Sequence, residues 1–585
     1  MKIFGQTSKR VVIGVCGLAA VGALLAPTSA EACGGLFCDA AIPGPMPVDQ
    51  TGESVIFVIG GPESEVHIQI AYDPNTNAEN FGWLVPLAAV PKFSVGSQIF
   101  FDQVRAATVP QYGLSTSFED CGGEGSFGQS LSDPTTTDPT GQGSTSGAGG
   151  ESTDGPTVLL QESVGAFDVV VLTDTEIGPI RVWLESNGYL WDAKAEPILM
   201  EYLAEGNVIA ALKLRRTTGP ADIHPITLTY PAGETCFPLR LTRIAAVEDM
   251  DIRVFVLGAT RAAPTNYHHV LVNPLKIDWL NFAGNYKEVI TQAVDAFAAD
   301  GRAFVTEYAG TSEVVSRFPI FDDAWDDISF VGLDPVLVID TLNLQKLASC
   351  FDSFACQWNH PLIAGLLAEH LPPPDGLDAV EFYSNLAAYA DQIDIPLWNN
   401  GDGFSAGLRD RVIDPGLHAD ELLQTWPYLT RLYTTISPSE MMADPIFHLN
   451  PDLEEVANLR IAQNLLLCNG DGVVTLPDER EIYVPGGSSW PAIPGEEWYA
   501  EEVQTVAIKG APMTIVNNTG AINKKLVEWN SSHDWPRSED STGTGSDTSG
   551  EQGGGGCGCR SDDPPGAWWL GLSALGLLAR RRRAR

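Results

Sequence analysis

The chain runs to 585 residues, with 34 Lys and Arg against 75 Asp and Glu and a formal net charge of −41. A surface of that sign repels phosphate backbones and anionic headgroups, which argues against nucleic-acid binding and favours divalent cations or basic partners. With 44% hydrophobic residues and 14 Trp the chain can still bury large cores, and its length predicts two or three domains.

Lys2, Lys9 and Arg10 precede an apolar run over 11–26, Pro27 breaks it, and the small residues Ala30 and Ala32 follow. This is the layout of a secretory signal peptide. As a helix the run reaches only ~24 Å, short of the ~30 Å hydrocarbon core. Residues 1–32 are therefore expected to be recognised by the secretion machinery and cleaved after Ala32. Cys33 then becomes the N-terminus, and its lipidation is the alternative to plain release, although Ala30 stands where such sites usually carry Leu.

Residues 33–310 read as a strand-rich α+β domain. Val66, Ile68 and Ile70 alternate with His67 and Gln69, the period-two pattern of a strand with one buried face. Short runs of similar character recur at 54–59, 81–87, 168–172, 208–214, 226–230 and 252–257, most of them bounded by turn residues. Residues 122–156 interrupt them. Phe127, Leu131 and Ala148 are the apolar residues there, too few to offset the chain entropy, so a disordered insertion within the domain is expected. Ile290, Ala293, Val294 and Phe297 keep helical spacing up to Gly301.

Beyond 310 the pattern turns helical, and 311–531 reads as a mainly helical region. Candidate helices lie at 361–370, 377–393, 418–436 and 452–463, with Pro372, Pro373 and Pro374 forcing a break between the first two. Residues 532–556 have the composition of a disordered stalk. The fold class expected is α+β: a strand-rich part, then a mainly helical part, with a disordered insertion and a short C-terminal transmembrane segment.

Export implies an oxidising compartment in which disulfides persist. Close spacing pairs Cys33 with Cys38 and Cys350 with Cys356. Cys121, Cys236 and Cys468 leave one odd thiol, with connectivity open. Cys350, Cys356 and His360 match no closed four-ligand zinc set, and the compartment favours the bridge.

Gly403-Phe404-Ser405-Ala406-Gly407 fits Gly-x-Ser-x-Gly, the elbow that exposes a hydrolase serine, and Asp410, Asp414, His418 and His448 lie downstream. The elbow needs a strand before it, whereas Trp398-Asn399-Asn400-Gly401-Asp402 reads as a turn, so a Gly-rich surface loop is the preferred reading. Asp322, Asp323, Asp326 and Asp327 concentrate hard oxygen donors suited to calcium, and a solvated acidic turn is the preferred reading there. Asn469-Gly470-Asp471-Gly472 lacks the leading Asp of a calcium loop and reads as a turn. His268 and His269 are neighbours on a strand, point to opposite faces, and cannot share one metal.

Three blocks in the body and one farther on resemble the recurring blocks of the bacterial domain-of-unknown-function family 2330. They are Ala32-Cys33-Gly34-Gly35-Leu36-Phe37-Cys38, Phe81-Gly82-Trp83-Leu84-Val85-Pro86-Leu87, Ala263-Pro264-Thr265-Asn266-Tyr267 and Leu429-Thr430-Arg431-Leu432-Tyr433-Thr434-Thr435. The similarity spans Cys33 to about Leu476. It implies secretion and a shared fold, and transfers no catalytic residue.

At the far end Gly553 to Gly556 lead into Cys557-Gly558-Cys559, then an apolar segment over 567–579, then Arg580, Arg581, Arg582, Arg583 and Arg585. Arginines behind an apolar segment hold that end on the cytoplasmic side. This tail, 557–585, resembles the MYXO-CTERM sorting signal of myxobacterial surface proteins. The resemblance implies that a membrane protease cuts near Cys557 and Cys559 and that the protein passes to the cell surface. Removing 1–32 and everything after Cys559 leaves 25 basic and 72 acidic residues, a net charge of −47.

The function expected is that of an exported envelope protein, non-enzymatic, with a binding or structural role and membrane contact through its tail. The alternatives are a surface serine hydrolase using Ser405 and a calcium-dependent adhesion module using the cluster at Asp322. No His-Glu-x-x-His, phosphate loop or dinucleotide fingerprint occurs in the chain.

Overall fold

Val55, Ile56, Phe57 and Val58 are apolar without interruption, and a strand of that kind has to be covered on both faces. In the computed structural model these four are buried within the strand Gly52–Val58, inside a ten-stranded sheet. The structure describes residues 36–38, 52–69, 81–121, 156–189, 191–215, 223–231, 236, 238–244, 246–351, 355–398, 403–487 and 489–537. The chain divides into two units, Met1–Trp535 and Pro536–Arg585, and all but two of the described residues belong to the first.

The ten-stranded sheet runs Met513–Asn517, Ala500–Thr505, His268–Val272, Ala303–Thr311, Tyr428–Ile436, Met250–Gly258, Gly52–Val58, Glu63–Gln69, Ile226–Pro231 and Lys92–Val95. Two of its pairings are parallel, Met250–Gly258 with Gly52–Val58 and His268–Val272 with Ala303–Thr311; the others are antiparallel. A five-stranded antiparallel sheet packs on it, in the order Leu36–Cys38, Phe81–Leu87, Val208–Leu214, Phe167–Thr173 and Thr157–Val164. Between the two lies the main core, with Phe57, Phe167, Phe304 and Phe447 fully buried.

Helices close both outer faces. Ile177–Ser186 and Ala195–Ala204 cover the five-stranded sheet through Ile180, Leu184 and Leu199. Gln98–Thr108 and Asp414–Thr425 cover the ten-stranded sheet through Phe100, Phe101, Val104 and Leu423. Ser97 caps the first of these, accepting a hydrogen bond from the Phe100 N–H at 3.2 Å. This double cover is why His67 is buried even though the alternation in its strand predicts one wet face. A separate four-stranded sheet, Glu481–Val484, Gly472–Thr475, Leu459–Leu466 and Gln111–Phe118, shares a core with the helix Thr519–Ser531.

One turn shows how tightly these layers meet. Gly165 has φ +55 between Thr157–Val164 and Phe167–Thr173, and a Cβ there would lie 2.1 Å from His224 Nε2. That nitrogen accepts the Ala166 N–H at 3.0 Å, so both the backbone angle and the space require glycine.

The expected strands of the first half all form. The helical reading of the second half holds only in part. Ile363–His370 is a helix, but 377–393 breaks at Asn385 into Ala379–Ser384 and the 3-10 turn Leu386–Gln392. The stretch 418–436 is a helix only as far as Thr425. Pro427 ends it, and Tyr428–Ile436 is a strand in the middle of the ten-stranded sheet. The stretch 452–463 is not a helix: Leu459–Leu466 is a strand, paired in parallel with Gln111–Phe118. A division near 310 therefore separates no bodies, because strands from both sides of it share one sheet and one core. The stalk also starts later than 532, since Trp535 donates from Nε1 to Glu481 Oε2 at 2.9 Å and packs on Tyr483.

The expected signal peptide 1–32, Cys33, nearly all of the insertion 122–156 and the whole tail 557–585 lie outside the described residues, including 567–579, Cys557, Cys559, Arg580, Arg581, Arg582 and Arg583. Among the described residues no helix is long and apolar enough to cross a membrane.

Candidate functional site

Where the two sheets part at one edge, they leave a cavity of about 420 Å³, a size that suits a small ligand. Strand alternation builds its apolar wall: Val66 and Ile68 from Glu63–Gln69, Leu228 and Tyr230 from Ile226–Pro231, Val85 and Leu87 from Phe81–Leu87.

Its polar end is organised around Arg240. The guanidinium donates from Nε to Asp444 Oδ2 at 3.0 Å and to both carboxylate oxygens of Glu205 at 2.8 and 2.5 Å, and lies 4.1 Å over the Tyr202 ring. Glu201 stands 3.7 Å away. The Tyr202 hydroxyl donates to Asp444 Oδ1 at 2.8 Å. Burial raises Asp444 above the ordinary carboxylate range against the opposing pull of the Arg240 donors. Among the residues that line the cavity, one cation, Arg240, thus faces two carboxyl groups, Asp444 and Glu205.

The loop that closes the cavity is pinned from the Ala263-Pro264-Thr265-Asn266-Tyr267 block. Asn266 Nδ2 donates to the Asp444 carbonyl and the Tyr267 hydroxyl to the Ala443 carbonyl, each at 2.7 Å. The Phe81–Leu87 block supplies part of the wall. Two of the sequence blocks therefore serve one cavity, the first as part of its wall and the second by holding its loop at Ala443 and Asp444.

Glu53 lies near the short helix Leu239–Thr242 and accepts from Thr242 Oγ1 at 3.3 Å, while its Oε2 is buried with no hydrogen-bond partner. Burial pushes its carboxyl up to about 7. A group protonated in the fold below about 7, but only below the ordinary 4.5 when unfolded, favours folding at low pH, and that stability is lost as pH rises through this window. Glu53→Gln is expected to raise the thermal midpoint at about pH 8 and to leave it nearly unchanged at about pH 4, as scanning calorimetry would show.

The residues singled out by motif are dispersed. Ser405 is 5% exposed on the helix Gly403–Leu408, and its Oγ donates to Asp327 Oδ2 at 3.2 Å. His418 and His448, the two histidines of the motif reading, are engaged elsewhere, with Glu65 and Thr265. The surface loop expected around Ser405 is instead a buried helix turn.

The four aspartates do not converge either. Asp322 pairs with Lys346 at 2.6 Å, Asp326 accepts from Ser329 Oγ at 2.5 Å, and Asp327 is held by Arg409 and Ser405. Cys350 and Cys356 are joined in a disulfide, which removes their thiolates from any zinc set with His360. His360 is buried, accepts the Leu362 N–H at Nδ1, and is pushed down to about 3 by burial. Cys121 is bonded to Cys468, a pairing the spacing left open. Cys38 forms part of the strand Leu36–Cys38, opposite Phe81. His269 is buried between Gln504 and Thr306, while His268 is half-buried on the other face.

A group that sequence reasoning did not assemble lies on the opposite face of the cavity strand. Glu65 and His67 are two residues apart on Glu63–Gln69, and His418 comes from Asp414–Thr425. Glu65 Oε2 accepts from His418 Nε2 at 2.8 Å and lies 3.2 Å from His67 Nε2. Burial opposes ionisation of Glu65, but the hydrogen bond from His418, with His67 alongside, outweighs it and holds the carboxyl at about 2. Burial lowers His67, and the bond to Glu65 raises His418. The Glu-x-His spacing on one strand face is a legible signal; its third member, over three hundred residues away, is not.

The fold and cavity define a mixed α/β protein with a two-sheet sandwich at its centre. Residues 27–320, half of the chain, match the family model described as "Uncharacterized protein conserved in bacteria (DUF2330)", and the chain belongs to that family. The match ends at 320, short of the Leu429-to-Thr435 block and of the Leu476 limit read from the sequence. Comparison with curated proteins and with solved structures found no match.

Proposed function

We propose that this chain is an exported, surface-sorted binding module whose cavity between the sheets takes a small amphipathic molecule bearing a positive charge. The observation that carries the ligand class is the cavity itself: a space of about 420 Å³ with an apolar wall that ends at Arg240, whose charge is outnumbered by the lining carboxyl groups of Asp444 and Glu205. An anionic ligand meets an acidic rim there, and a cationic one completes it. The signal-like 1–32, the sorting-like tail 557–585 and two disulfides support a place outside the cytosol.

Two measurements test the reading. An octylammonium probe is expected to bind the full chain at least about tenfold more tightly than octanoate, and Ala88→Trp at the exposed rim is expected to abolish binding without lowering the thermal midpoint. Equal binding of the two probes, or binding that survives Ala88→Trp, overturns the ligand class. For sorting, terminal-peptide mass spectrometry of protein shaved from intact cells is expected to find a C-terminus near Cys557 or Cys559. Recovery of the Arg585 end would show that the tail is retained.

A further inference from the structure

We propose that Glu65, His67 and His418 form a divalent transition-metal site of zinc type, with one coordination position open to solvent. Two imidazole nitrogens and one carboxylate oxygen are the donor set that zinc and its neighbours in the first transition row prefer over calcium or magnesium. The three donor atoms lie within 4.8 Å of one another. Bonds of ~2.0–2.1 Å at tetrahedral angles place neighbouring donors ~3.3 Å apart. The separations of 2.8 and 3.2 Å about Glu65 Oε2 are already close to that, and the two imidazole nitrogens lie within 4.8 Å of each other.

A second observation points to a ligand independently. His67 is 2% exposed, and its Nε2 has no hydrogen-bond partner, although Glu65 Oε2 is near. The other ring nitrogen, Nδ1, is 2.9 Å from Thr227 Oγ1, directly across the strand pair. In the tautomer with Nδ1–H donated to Thr227, Nε2 turns a lone pair toward the Glu65 carboxylate oxygen 3.2 Å away. Those two acceptors repel unless a cation lies between them, and a bond from the far ring nitrogen to a fixed partner is the usual orienting contact for a metal-bound histidine.

The surroundings complete a site rather than a chance contact. Phe100 stands edge-on to His67 at 5.7 Å and closes the inner side, while His418, with 41% of its side chain exposed, opens the outer side to solvent and to an entering ion. Two donors are held by a strand paired on both sides within the sheet and the third by a helix packed on it, so the geometry rests on rigid elements. Metal binding exchanges the hydrogen bond between His418 and Glu65 for two metal bonds, the Nε2 proton of His418 leaving to solvent. The site faces away from the cavity, because residues at alternate positions of a strand take opposite faces, and it stands or falls separately from the ligand reading above.

The test uses the full chain, purified without a histidine tag and stripped with chelator. Calorimetric titration with Zn²⁺ is expected to show one saturable site per chain and a raised thermal midpoint. Co²⁺ is expected to give the visible absorption of a four- or five-coordinate nitrogen and oxygen site. His418→Gln and Glu65→Gln are each expected to weaken Zn²⁺ binding by about tenfold or more. His418 is the more exposed residue, so an unchanged metal-free thermal midpoint in that variant separates loss of a ligand from loss of fold. Absence of a saturable site, unaltered affinity in both variants, or Ca²⁺ binding as tight as Zn²⁺ overturns the proposal.

Discussion

Glu307→Gln is expected to cost the fold about 3–5 kcal/mol, because it leaves the Arg431 guanidinium buried without its counter-charge. Arg431 and Glu307 are 4% and 2% exposed and hydrogen-bonded side by side. Register explains how they meet. Between Ala303–Thr311 and Tyr428–Ile436 the pairing shifts between Thr306 and Tyr308, so Glu307 is an extra residue in its strand, free of the ladder and turned toward Arg431. Tyr286 donates to Glu307 Oε1 at 2.8 Å, and Arg431 donates to the Arg105 carbonyl at 3.1 Å, so both ions are satisfied only as a set. Arg431→Met is expected to be comparably damaging, whereas Glu307→Leu with Arg431→Met should recover most of the loss. Urea midpoints of Glu307→Leu, Arg431→Met and their combination decide it. If the losses simply add, the two residues do not act as a pair.

The second large effect concerns the disulfide between Cys121 and Cys468, which are 347 residues apart in sequence. A cross-link that closes so long a loop removes much of the freedom of the unfolded chain, and its loss is expected to cost up to about 5 kcal/mol. The bridge between Cys350 and Cys356 closes a separation of 6 residues and should be worth only about 2 kcal/mol on the same account. The long bridge ties the end of Gln111–Phe118 to the hairpin formed by Leu459–Leu466 and Gly472–Thr475. Replacing both cysteines of each pair by serine, so that no stray thiol remains, and comparing denaturation midpoints should rank the pairs in that order. A larger loss from the short bridge would refute the loop-length argument.

How much of this was legible in the sequence depends on the distance over which each feature is decided. Short apolar runs marked the strands at 54–59, 168–172 and 252–257, because a strand covered on both faces is written in a few contiguous residues. Local pattern failed at 418–436 and 452–463, where residues compatible with either period were read as helical. Pro427 was available as a stop signal. The partner of Leu459–Leu466 lies at Gln111–Phe118, beyond the reach of any local pattern. Ser405 satisfied a motif whose meaning depends on what precedes it and what faces it, and it faces Asp327.

The sequence by itself determined the chain's acidity, its strand-rich first half, the close cysteine pair and membership of the family, since composition and local order are properties of contiguous residues. The tertiary structure alone decided that strands from both halves share one sheet, that Cys121 meets Cys468, that one sequence block lines the cavity while another holds its loop, and that His418 stands beside Glu65 and His67. Each of those is a pairing between residues hundreds of positions apart. Such pairings are set by which apolar faces bury each other most completely, a choice made by the whole chain at once rather than by any segment of it.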